Sequence, residues 1–141
     1  MAMTDRETAR TNADSTIRMI KEYLQAMEDR DLAGAASFLA DDFQMHFPGD
    51  QTFHTLDELV AWARHRYQWV KKAYEQFDVC PAGDGNVVYC FGTLHGQWPD
   101  GSIFGDIRFI DRFVVRDGLL TNQKVWNDLA EVANRWNDRS A

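Results

Sequence analysis

Apolar residues recur at helical spacing from Ser15 onward, at Ile17, Ile20, Leu24 and Met27 with Met19, Tyr23 and Ala26 beside them, which predicts a first helix. A shorter helical pattern follows in DLAGAASFLA, where Leu32, Ala35, Ala36 and Leu39 share a face. The period then changes from helical to alternating. From Asp42 to Phe47, Phe43, Met45 and Phe47 point one way and Asp42, Gln44 and His46 the other, a half-buried strand closed by Pro48-Gly49. Thr55 and Glu58 have the spacing of a capping box, in which each side chain satisfies a first-turn N–H. They predict a third helix running through about Lys72, with Leu56, Leu59, Val60, Ala63, Tyr67 and Val70 inward. Everything beyond reads as strand: near Gln76–Pro81, from Val87 to about His95, from about Ser102 to Arg116, and from Leu119 to about Leu129. The turns GDGN, WPDG and Asp117-Gly118 separate them.

Helices gathered ahead of a run of hairpin-connected strands define an α+β domain, with the helices on one face of a curved, mainly antiparallel sheet. The length of 141 residues suits one domain. Residues 1–13 are polar and expected to be flexible, 14–131 form the domain, and 132–141 make a tail that is polar apart from Val132 and Trp136. With 45% hydrophobic residues the chain can bury a sizeable core, which excludes disorder. A net charge of −7 is a poor match to nucleic acid or an anionic membrane. No apolar run is long enough to span a bilayer, and MAMTDRETARTNADS lacks the apolar stretch of a secretory signal, so a cytoplasmic location is expected. Cys80 and Cys90 form neither a disulfide framework nor a zinc set, and His54, His65 and His95 lack metal-ligand spacing, so no metal is expected. No phosphate-cradling glycine loop, Ser/His/Asp arrangement or CxxC motif is present. The basic residues Arg64, His65, Arg66, Lys71 and Lys72 read as the solvated face of the third helix.

One residue breaks the pattern. In FGDIRFIDRFVVRDG, alternation puts Ile107, Phe109, Phe113 and Val115 on the core face, with Asp111 in their midst, and Asp106, Arg108, Ile110, Arg112, Val114 and Arg116 opposite. A carboxylate among aromatic side chains must be partnered or keep its proton. It is then either a structural residue satisfied by an internal hydrogen bond, or a pocket residue that meets a ligand.

Over residues 12–130 the chain resembles the nuclear-transport-factor-2-like superfamily, which includes SnoaL-like polyketide cyclases and ketosteroid isomerases. The resemblance rests on EYLQAMEDRDLAGAASFLADDFQMHFPG near the start and FIDRFVVRDGLL…VWNDL near the end. It implies a cone-shaped, cystatin-like fold, three N-terminal helices packed on a strongly curved sheet, an apolar pocket at the open end, and a homodimer. Tyr23 falls where ketosteroid isomerases place their oxyanion-hole tyrosine, and Asp111 where they place the protonated aspartic acid of the same hole. The position of their catalytic base is Phe47 here, which cannot accept a proton. His54, His95 and Asp50 are the remaining candidates for an acid or base. Phe43, Phe47, Phe91, Phe109 and Phe113 are expected to line the pocket, and Gln123, Val125 and Asn127 to face it from the last strand. Asp128 resembles a carboxylate of limonene-epoxide-hydrolase relatives, but the paired Arg-x-Asp of that group is not evident in GTLHGQWP.

Two functions follow. One is an enzyme of the SnoaL or ketosteroid-isomerase kind, acting without a cofactor on a small, mostly apolar carbonyl compound by isomerisation, cyclisation or dehydration. The other is a non-catalytic ligand-binding or dimeric assembly module in which Tyr23 and Asp111 are a satisfied internal pair.

Overall fold

The computed structural model describes residues 4–140, with side chains through Ala133 and that of Arg135. Three helices, α1 (Asp5–Glu28), α2 (Leu32–Ala36) and α3 (Leu56–Ala63), are interleaved with β1 (Leu39–Phe47) and β2 (Gln51–Phe53). Then come β3 (Trp69–Ala82), β4 (Gly85–Gln97), β5 (Ile103–Arg116), β6 (Leu119–Asn127) and α4 (Leu129–Ser140). One six-stranded sheet holds the strands in the order β2-β1-β6-β5-β4-β3. All neighbours are antiparallel except β1 and β6, which run parallel. The α+β class and the layering are as the alternation predicts.

Irregular pairings bend this sheet. Register shifts fall between Tyr74 and Gln76 on β3, between Leu94 and Gly96 on β4, and between Val114 and Val115 on β5. Each extra residue raises the local twist, and together they wrap the sheet around α1. The concave face is apolar: Ile20, Tyr23 and Leu24 of α1 share a core with Val88, Ile107, Phe113 and Leu120 of the strands. Among the described residues no helix is long and apolar enough to cross a membrane.

Three boundaries differ from expectation. α1 begins at Asp5, inside the segment expected to be flexible, because Thr4 and Glu7 close a capping box there. α3 stops at Ala63 rather than near Lys72, and Trp69 onward is strand. No Gly or Pro marks that stop; it is set by β4, against which Trp69 pairs with Gln97 and Lys72 with Leu94. The third difference is the expected tail, which is α4; Val132 and Ala133 pack against the core. Residues 1–3, Ala141 and the Trp136 side chain lie outside the described residues.

Candidate functional site

A cavity of about 100 Å³ lies between the helices and the sheet, lined by α1, α3 and the segment after it, the first residue of α4, and residues of β1, β3, β4, β5 and β6. Seven of the expected residues meet there: Tyr23, Asp111, Phe47, Phe109, Gln123, Val125 and Asn127. Their placement follows from parity. On β5 the odd positions point inward, and on β6 a shift near Thr121 brings Gln123, Val125 and Asn127 to the same side.

Six others are elsewhere. Phe43 and Phe113 are buried in the core, away from the cavity, Phe113 meeting Tyr23 edge-on with ring centroids 6.3 Å apart. Phe91 and His95 sit at odd positions of β4, whose inward residues are the even ones. Both therefore lie on the outer face, where His95 is exposed against Trp69. Asp50 and His54 are exposed on the segments flanking β2, and neither lines the cavity. None of the three candidate bases reaches Asp111. Asp128 is likewise outside, paired with Arg108 at 2.7 Å.

What meets Asp111 instead is Lys72. Its Nζ lies 2.5 Å from Asp111 Oδ2, an ion pair in which the carboxylate side chain is 0% and the lysine 19% exposed. The placement of Lys72 on a solvated helix face is thus overturned: Val70, Lys72 and Tyr74 alternate inward on β3. The ammonium also lies 5.1 Å from the Phe109 ring centroid. β3 is the sheet edge, and the spare N–H of Lys72 donates to Glu28 Oε2 at 3.4 Å, which ties that edge to α1. Trp69, expected on the helix, lies on the outer face of β3, 38% exposed. The signal was present: VKKAY carries a charge on an alternating apolar face, as FIDRF does. A buried anion calls for a cation, and the strands are where one can reach it.

Charge shapes the other groups. Burial pulls the Lys72 ammonium down, but Asp111, with smaller help from Tyr74 and Cys90, more than offsets this and holds it above its ordinary range. Burial pushes the Tyr23 phenol up; Lys72 pulls it back and Asp111 adds to the rise. Tyr23 therefore stays a donor, and it gives its proton to Gln123 Oε1 at 3.1 Å. Cys90, opposite Asp111 in register, is pushed up to about 12 by burial and by that carboxylate. Asp111 Oδ1 is buried and, among the described residues, has no hydrogen-bond partner. An orphaned carboxylate oxygen at a cavity wall is a place for a ligand's donor or a proton. Among the described residues no group of three or more His, Cys, Asp or Glu gathers to hold a metal ion.

A curved sheet closed by α1 over an inward ion pair places the protein among the NTF2-like cones. The chain belongs to the family defined by the SnoaL-like domain, which matches residues 20–123. An NTF2-like protein of unknown function from Burkholderia pseudomallei K96243 superposes with a TM-score of 0.70 at 22% identity, over 85% of this chain and 95% of that one. TerC, co-crystallised with polyporic acid, gives 0.72 at 22% identity over 85% and 96%. A protein of Jannaschia sp. CCS1, described provisionally as a SnoaL-like polyketide cyclase, gives 0.66 at 15% identity over 94% of each chain. At these identities the likeness is one of fold. No curated protein sequence matches the chain.

Proposed function

We propose that the cavity binds a small, mostly apolar carbonyl compound and moves a proton beside its carbonyl group. The observation that carries this is the orphaned Oδ1 of Asp111, held beside the Lys72 ammonium in the lining of the cavity. Oδ2 accepts from the ammonium and Oδ1 is left as an open acceptor, so Asp111 serves as the base rather than as a donor. Oδ1 takes a proton from the carbon next to the carbonyl, the C–H electron pair forms a carbon–carbon double bond, and the carbonyl π pair moves onto oxygen. The resulting enolate oxygen is held by Lys72, whose raised basicity keeps it a fixed positive charge. Return of the proton from Asp111 to another carbon isomerises the compound; attack of the enolate carbon on a second carbonyl closes a ring, and the new alkoxide takes the proton; departure of a hydroxyl one carbon further on, which takes the proton and leaves as water, dehydrates it. Tyr23 and Gln123, bonded to one another, line the same cavity. Fold relatives crystallised with polyporic acid or described as a polyketide cyclase support a small organic ligand here.

The test is proton exchange. Cyclic ketones and 1,3-diketones are incubated in deuterated buffer, and NMR follows loss of the protons next to the carbonyl. Wild type should accelerate exchange, and Asp111→Asn should slow it by about 10²–10⁴-fold. Exchange at the buffer rate with wild type would leave a binding module and end the catalytic reading.

On the same reading a second copy packs on the outer sheet face. One cross-strand row is apolar, Trp126–Ile110–Phe91, and Trp126 and Ile110 are 51% and 45% exposed. The next row runs Lys124–Arg112–Tyr89–Asp78, basic at one end and acidic at the other. A two-fold axis across such a face sets each sign against its opposite. Sedimentation should give twice the 16.3 kDa chain mass; a 16.3 kDa particle at micromolar concentration would overturn the dimer.

A further inference from the structure

Arg66 is the second cation that the sequence pattern puts on a solvated helix face and the fold turns into the cavity. It lies in the turn after α3, where its backbone N–H donates to the Ala63 carbonyl at 2.9 Å. Its guanidinium carbon stands 4.2 Å from the Trp62 ring centroid, and both residues line the cavity that holds Lys72 and Asp111. The side chain is half-buried. Among the described residues no carboxylate lies within ion-pair distance of it, whereas Lys72, Arg108 and Arg116 each have one.

That combination is unusual for a purely structural arginine. Stacking on an indole occupies the face of the guanidinium and leaves its edge, with the forked N–H donors, unused. Burial pulls the group down, Tyr67 pushes it back, and no protein anion offsets the lost hydration. The cavity lining carries three cations (Arg30, Arg66, Lys72) against two carboxylates (Glu28, Asp111). It is a locally positive recess in a chain whose net charge is −7. Such a recess concentrates anions that the rest of the surface repels.

We propose that Arg66 recognises a carboxylate on the compound the cavity binds, its forked edge taking both oxygens while Trp62 holds its face. The inference rests on the reading of Lys72 and Asp111 as the reactive end of the same site. It narrows the substrate class to small conjugated or aromatic acids, with a carbonyl or enol at the inner end and a carboxylate toward Arg66. A carboxylate fits better than a lone point charge would require, because two parallel N–H···O bonds reward a planar anion.

Two probes separate the possibilities: 2-naphthol, which offers only the hydroxyl, and 6-hydroxy-2-naphthoate, which adds a carboxylate at the far end. Binding to wild type, Arg66→Met and Arg66→Lys is followed by ligand absorbance and by titration calorimetry. Wild type should bind the naphthoate about 10- to 100-fold more tightly than naphthol. Arg66→Met should erase that difference, the readout being the ratio of the two affinities rather than either affinity alone. Arg66→Lys should keep only part of it, since an ammonium lacks the fork. Equal affinities in wild type, or a naphthoate preference that survives Arg66→Met, would overturn the role of Arg66 and leave the proton-transfer reading standing. Binding of neither probe would overturn both.

Discussion

Lys72→Met should destabilise the fold by about 3–5 kcal/mol, because it leaves the Asp111 carboxylate buried with no counter-charge. Asp111 is 0% exposed, one of its oxygens has Lys72 as its partner and the other has none. With typical domain stabilities of about 5–15 kcal/mol, such a loss is visible as a large drop in the urea midpoint. Removing both charges in Lys72→Met/Asp111→Leu should recover most of it, since an apolar pair of similar size has nothing left to desolvate. A loss of only about 0–1 kcal/mol in Lys72→Met, the size expected of an exposed ion pair, would show that the pair is hydrated and its cavity role misassigned.

The pH dependence of that loss has a definite sign. Lys72 is held above its ordinary value, so its contribution is complete below the unfolded value of about 10.4 and fades only as pH rises through the higher folded value. The stability gap between wild type and Lys72→Met attributable to the lysine should therefore stay constant from about pH 6 to 9. A group whose charge is constant through that range is suited to hold an enolate, and unsuited to donate or accept the proton itself. In the proposed reaction the proton therefore falls to Asp111.

The core face of β5 was legible because its alternation is unbroken from Ile107 to Val115, and Asp111 stood out against it. The expectation for Gln123, Val125 and Asn127 came from the family resemblance, because β6 shifts register at Thr121 and simple alternation does not run through it. Lys72 was missed although VKKAY alternates, because Ala63, Tyr67 and Val70 suit a helical stripe as well as the start of a strand. Only long-range pairing with β4 separates the two, and periodicity in a short apolar run cannot. His95 and Phe91 were misplaced through the parity of β4: its inward positions include Gly92 and Gly96, which carry no side chain to announce a core face. The start of α1 was missed because its solvent-exposed first turns, closed by the Thr4/Glu7 cap, offer no apolar stripe.

Those silent glycines lead to the second large effect: Gly92→Val should cost at least about 3 kcal/mol and remove ligand binding with it. A Cβ built at Gly92 would lie 2.0 Å from the Ala73 carbonyl oxygen and 3.1 Å from the Glu75 nitrogen. Both are backbone atoms, at the bulge that lets β3 turn, so neither can give way as a flexible side chain would. Gly92 is also the inward position between Cys90, which faces Asp111, and Leu94, which faces Lys72. Lys72 reaches across β4 at the one inward position there that raises no side chain between the two charges. Tyr74 and Phe109, the cross-strand neighbours of Gly92, meet over it with ring centroids 6.0 Å apart. Valine would spread β3 from β4 and draw the ammonium away from the carboxylate in the same movement. Gly105→Ala is the control: its added Cβ meets only His95 Cβ at 4.0 Å. Its stability should be unchanged or higher by about 0.4–1 kcal/mol, through the smaller entropy of the unfolded chain. Equal urea midpoints for the two variants would mean that β3 can shift freely at the bulge, and that the distance between Lys72 and Asp111 is not set by this glycine.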